Sequence, residues 1–229
     1  MITVKHVNKS YGNHQVLYDI QAAFEPGRVY GIVGENGAGK TTLFKCLLGL
    51  EAYEGQVESK WQPLKDHLGW LPTESYFFPY MTGREYLQLV CNARKTGLGD
   101  ATEKNIFDLP LDEFAVHYST GMKKKLALLG ILLQPNEVFI LDEPFNGVDI
   151  QSNILITEII LRLRSMGKTV LISSHIFSTL RDTCDEILLL QQGRITQKVA
   201  KADFDQLERE MKDVSIGNRV DRLLGGVHE

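Results

Sequence analysis

The stretch Val29-Tyr30-Gly31-Ile32-Val33-Gly34-Glu35-Asn36-Gly37-Ala38-Gly39-Lys40-Thr41-Thr42 decides the fold. Its first five residues are a short apolar run of the kind that suits a strand covered on both faces. The next eight match GxxxxGK[ST], and the residues from Lys40 to Leu50 carry helical spacing. Strand, glycine loop and helix in that order predict a phosphate-binding loop. Glycines let the chain curl so that backbone N–H groups point inward, and the helix N-terminus adds the positive end of its dipole. On this reading Gly34, Asn36, Gly37, Ala38 and Gly39 cradle phosphate, and Lys40 reaches the β and γ phosphates. Thr41 offers its hydroxyl to Mg²⁺, with Thr42 beside it among the nucleotide contacts.

A second motif lies downstream. Val138-Phe139-Ile140-Leu141 reads as a buried strand that delivers two acids, Asp142 and Glu143, at its carboxyl end. Open α/β sheets bind ligands at the carboxyl ends of their strands, where the phosphate loop also lies. Asp142 is therefore expected to hold Mg²⁺, and Glu143 to orient and deprotonate a water that attacks the γ phosphate.

Outward from these motifs the chain alternates strand and helix. Strands are expected at 68–71 and 169–173, and helices at 81–95, 123–133, 154–164 and 177–181, which predicts a mostly parallel α/β sheet. Before the loop, Ile2, Val4 and Val7, then Val16, Leu17 and Ile20, flank the turn Tyr11-Gly12-Asn13 and read as an antiparallel pair. After the last helix, Ile187–Leu190 and Arg194-Ile195 flank Gln191-Gln192-Gly193 as a hairpin. Residues 96–117 are polar and irregular, and the final thirty or so form a charged, helix-like tail.

Composition narrows the function classes. At 229 residues the chain can bury a core without disulfides or metal. The net charge of −4, with acids and bases interspersed, carries no footprint for nucleic acid, so no nucleic-acid partner is expected. Cys46, Cys91 and Cys184 lie far apart in apolar surroundings and are expected to be buried and reduced. No segment has the apolar length to cross a bilayer, so any membrane spans must come from another polypeptide.

With these motifs in hand, the chain resembles an ATP-binding-cassette nucleotide-binding domain over residues 2 to 200. The resemblance implies a P-loop NTPase fold of three parts: a mostly parallel sheet core, an antiparallel β subdomain and a small helical subdomain. The core and β subdomain would be 1–78 and 119–200, the helical subdomain 79–118, and the tail 201–229. Tyr11 matches the aromatic that stacks on adenine. Tyr118-Ser119-Thr120-Gly121-Met122 stands where the family has its LSGGQ signature. The resemblance implies that Ser119 and Gly121 engage the γ phosphate of ATP held on a second subunit, so that the complete site exists in a homodimer or heterodimer. Asp149, in Asn146-Gly147-Val148-Asp149, matches the carboxylate of the loop that crosses that interface. His175 matches the histidine that contacts the γ phosphate and the catalytic water.

Two departures stand out. Thr73, in Leu71-Pro72-Thr73-Glu74, replaces the family's glutamine. It is shorter, so weaker hydrolysis or coupling is expected unless Glu74 substitutes through water. The signature reads STGM in place of SGGQ, followed by Lys123, Lys124 and Lys125, which looks similar to bacterial export-type cassettes. The aromatic run Tyr76-Phe77-Phe78-Pro79-Tyr80 fits either a docking surface for a membrane subunit or ordinary core packing. The implied function is an ATP-hydrolysing, Mg²⁺-dependent subunit, cytoplasmic and peripheral on the inner face of the membrane, driving transport through a separate transmembrane permease. The alternative is a soluble cassette ATPase that acts on protein partners without transport.

Overall fold

The computed structural model describes residues 1–174 and 177–209. The chain opens with β1 (Ile2–Tyr11) and β2 (His14–Phe24), then β3 (Val29–Val33), α1 (Lys40–Leu47), β4 (Glu54–Ser59) and β5 (Leu68–Leu71). It continues with α2 (Gly83–Ala93), α3 (Thr120–Leu132), β6 (Val138–Asp142), α4 (Ile150–Ser165) and β7 (Thr169–Ser173). α5 (Phe177–Thr183), β8 (Glu186–Gln191) and β9 (Arg194–Ala200) follow.

One sheet has the order β5-β6-β7-β3-β8-β9. All its neighbours are parallel except the β8/β9 hairpin. β3, β6 and β7 are buried at every residue, and alternate side chains still go to opposite faces, as the period of two requires. Val29, Phe139 and Ile172 enter one apolar cluster with α3 and α4. Tyr30, Ile140 and Leu171 enter the other, with α1 and the second sheet. That second sheet is antiparallel, in the order β2-β1-β4. The hairpin tip joins the two sheets: Tyr18 N–H donates to the Gly193 carbonyl at 2.8 Å. A Cβ on Gly193 would stand 2.1 Å from the Val16 oxygen, so only glycine allows this approach.

Two helices, α3 and α4, start three to four residues earlier than apolar spacing indicates, because polar caps start them, whereas α2 starts at Gly83 rather than at 81. Ser119 caps α3 by accepting from Met122 N–H, and Asp149 caps α4 by accepting from Ser152 N–H. Thr82 and Glu85 form a reciprocal capping box on α2. α1 ends at Leu47 rather than Leu50, where Gly49 takes a positive φ of 70° and turns the chain away. The three cysteines are buried and free.

The aromatic run divides by burial: only Phe77 packs in the core, while Tyr76, Phe78 and Tyr80 are exposed. Among the described residues no helix is long and apolar enough to cross a membrane. Residues 204–209 are helical, with Phe204 and Leu207 buried, and the rest of the expected tail lies outside the described residues.

Candidate nucleotide site

The glycine loop leaves the carboxyl end of β3 and delivers Lys40 as the first residue of α1. Gly37 and Gly39 take φ values of 84° and 107°, which side chains with a Cβ rarely adopt. Gly39 also abuts β2: a Cβ there would lie 2.8 Å from the Leu17 side chain. Asn36, Gly37, Gly39, Lys40, Thr41 and Thr42 line a cleft of about 410 Å³. Gly34 and Ala38 are not among the residues lining that cleft. The carbonyl of Ala38 accepts from Gly193 N–H, and a Cβ on Gly34 would stand 2.3 Å from the Leu190 oxygen, so these two also seat the loop against the β8/β9 hairpin. Lys40 Nζ donates to the carbonyls of Gly34 and Glu35, at 2.7 and 3.2 Å.

Across the cleft stands Asp142, buried at the end of β6. Three hydroxyls converge on its carboxylate. Thr41 and Thr73 donate to Oδ2 at 2.7 and 2.8 Å, and Ser173, at the end of β7, donates to Oδ1. A buried carboxylate ringed by hydroxyl oxygens is an all-oxygen set that suits a hard divalent cation. Among the described residues no three His, Cys, Asp or Glu side chains cluster to hold a metal, so a cation here would need further ligands from phosphate or water.

Thr73 and Val16 line the cleft without having been expected there. Thr73 is short, but β5 lies beside β6 in the sheet and delivers it directly over Asp142. In place of the family's glutamine, Thr73 thus makes a direct bond to the buried acid.

Glu143 lines the same cleft. Its backbone is in the left-handed region at φ 53°, a conformation that costs a non-glycine residue roughly 1–2 kcal/mol. Its N–H is shared between the Ser173 carbonyl and hydroxyl, at 3.2 and 3.0 Å. His175, two residues past Ser173, lies outside the described residues.

The remaining expected residues lie elsewhere. Tyr11 is 43% exposed and has the Lys9 ammonium 4.5 Å from its ring centroid. Desolvation raises the Tyr11 pKa, a contact with Glu51 raises it further, and one with Thr42 opposes both. Lys9 and Glu51 pair at 3.0 Å beside it. Ser119, Gly121 and Asp149 are not among the residues lining the cleft. They gather at the start of α3 and α4, where a Cβ on Gly121 would stand 2.6 Å from the Gly147 oxygen. Asp149 accepts from Ser152 N–H and Oγ, both at 2.8 Å, and from Lys125 at 3.2 Å.

The fold and this cleft define a P-loop nucleoside-triphosphatase with a sheet-edge carboxylate pair facing its phosphate loop. Comparison with known proteins narrows the class. The family model described as ABC transporter matches residues 17–146. The Nod factor export ATP-binding protein I of Burkholderia orbicola is 31% identical over 211 residues, covering 84% of this chain and 68% of that protein. The bacitracin transport ATP-binding protein BcrA of Enterococcus faecalis is 29% identical over 242 residues, covering 98% of this chain and 78% of its own. A solved ATP-binding subunit of an ABC transporter superposes with a TM-score of 0.78 at 26% identity, covering 98% of both chains. The chain belongs to the ABC transporter family, as an ATP-binding and ATP-hydrolysing subunit.

Proposed function

We propose that this subunit drives export through a separate transmembrane permease, working as a dimer that closes over two ATP molecules. The observation that carries the reading is the convergence of Thr41, Thr73, Asp142 and Glu143 on one cleft beside the phosphate loop. The export direction leans on the STGM signature followed by lysines and on relatives named for export and for bacitracin transport.

The chemistry follows from the placement of the side chains. ATP phosphates lie on the backbone N–H groups of the loop, and Lys40 leaves the Gly34 and Glu35 carbonyls to reach the β and γ phosphates. Thr41 and Asp142 would hold Mg²⁺, which when bound would neutralise charge on the phosphates. Glu143 orients a water and takes its proton as the water attacks the γ phosphorus. The bond to the β-phosphate oxygen breaks, giving ADP and inorganic phosphate. His175 acts beside it on the γ phosphate, and Tyr11 stacks on the base.

Ser119, Gly121 and Asp149 are on a surface apart from the chain's own cleft, which supports a site completed by a second subunit. In that dimer the α3 N-terminus and the Ser119 hydroxyl meet the partner's γ phosphate. Binding favours the closed state and hydrolysis the open one, and the permease follows the exchange. Residues 79–118 form the part that receives the permease, with Tyr76, Phe78 and Tyr80 as an exposed aromatic face beside it. Attachment to the permease places the subunit on the cytoplasmic side of the membrane.

The test is a pull-down of tagged Glu143→Gln protein from its native cells, in mild detergent with ATP and Mg²⁺, with partners identified by mass. The reading predicts a multi-span membrane protein. Recovery of soluble proteins alone, with no tagged chain in the membrane fraction, favours a cassette ATPase acting on protein partners instead.

A further inference from the structure

Two consecutive lysines of α3 engage the segment from Glu143 to Asp149. Lys125, its side chain 14% exposed, pairs with the Asp149 carboxylate. Lys124 is only 3% exposed, and its Nζ donates to the Glu143 carbonyl oxygen at 2.5 Å. Lysine is among the side chains least often fully buried. Burial holds the Lys124 pKa below the usual lysine value, against the opposing pull of Glu143 and Asp142. Packing alone does not call for an ammonium here, since an apolar side chain of similar volume fills such a space without desolvating a charge.

The ammonium fixes a peptide. Glu143 holds its left-handed backbone between two anchors, Ser173 on its N–H and Lys124 on its C=O, with Asn146 N–H also donating to that oxygen at 3.2 Å. The direction in which the Glu143 carboxylate leaves the chain is set by these anchors. The same helix meets the same segment again where Gly121 packs on the Gly147 carbonyl.

We infer that Lys124 is a positioning residue for Glu143: by holding the Glu143 carbonyl it keeps the carboxylate aimed into the cleft and ties it to the helix that carries Ser119 and Gly121. The inference rests on the reading of Glu143 as the base. It gives α3 a second task, since a shift of its first turn reaches Glu143 through the lysine.

The experiment compares Lys124→Met and Lys124→Gln with the wild-type chain in steady-state ATPase, ATP binding and thermal melting. Lys124→Met is expected to lower kcat by roughly 10–100-fold, the scale of a misplaced reacting group, while KM for ATP stays within about twofold. Lys124→Gln, which keeps a donor, retains more of the rate. In the Glu143→Gln background Lys124→Met adds no further loss, because no base remains to be aimed, whereas a merely structural lysine multiplies the two losses. The inference is overturned by an unchanged kcat in folded Lys124→Met protein, by full multiplication in the double variant, or by loss of ATP binding or folding in both lysine variants. Full activity of Glu143→Gln alone removes the base reading and is visible separately.

Discussion

Thr73 Oγ1 donates to Asp142 Oδ2 at 2.8 Å, and Thr41 Oγ1 donates to the same oxygen at 2.7 Å. One hydroxyl comes from the phosphate-loop helix and the other from the far end of β5, so a single buried carboxylate oxygen joins two strands' worth of chain. Partners that hydrogen-bond a metal-binding carboxylate tune both its orientation and its metal affinity. Thr73→Val is therefore expected to raise the Mg²⁺ concentration for half-maximal ATPase activity by about 10-fold or more, with Thr73→Ser close to wild type. A Mg²⁺ titration of the three proteins checks this, and identical curves contradict it.

The phosphate loop gives a sharper expectation. Gly39 has φ 107° with Leu17 beside its missing Cβ, so Gly39→Ala must distort the loop where it meets α1. Gly39→Ala and Lys40→Ala should both lose ATP binding, the first through geometry and the second through charge. Binding of a fluorescent ATP analogue measures it, and wild-type affinity in both variants contradicts the assignment.

Gly121 is expected to separate binding from turnover. A methyl group there meets the Gly147 oxygen at 2.6 Å and forces α3 away from the loop leading to Asp149. The cleft itself is lined by other residues. Gly121→Ala should thus keep ATP affinity within about threefold while ATPase falls on the order of 10-fold, a separation of ground-state from transition-state effects. Parallel loss of both quantities contradicts it.

Asp149 yields a pH dependence. The Ser152 N–H, the Ser152 hydroxyl and then Lys125 hold its folded-state pKa well below the ordinary aspartate value. A depressed carboxylate pKa stabilises the fold above the unfolded pKa, and the contribution disappears as pH falls through the folded value. Asp149→Ala should melt below wild type at pH 7, with the gap narrowing as pH falls below about 4. A gap that is constant with pH assigns the loss to something other than the charged cap.

Much of this was legible in the chain. The Val29–Thr42 stretch fixes strand, loop and helix by its own spacing, and Val138–Glu143 announces its acids, because both motifs are local. The elements that bring distant residues together are less visible. Thr73 looks like a shortened side chain in sequence, and only the β5/β6 pairing shows that it reaches Asp142. Lys124 stands in the sequence only as one of three lysines after the signature, and it is the helical twist that turns it inward to Glu143. Gly34 and Ala38 match the loop pattern while serving the hairpin packed behind it.

The most direct test of the account is single-turnover ATP hydrolysis by Glu143→Gln protein, measured alongside its mass in solution with ATP and Mg²⁺. The account predicts tight ATP binding, a dimer that persists, and phosphate release slowed roughly 10²–10⁴-fold, the usual worth of a general base. Phosphate release at the wild-type rate, or a protein that stays monomeric with ATP bound, contradicts it.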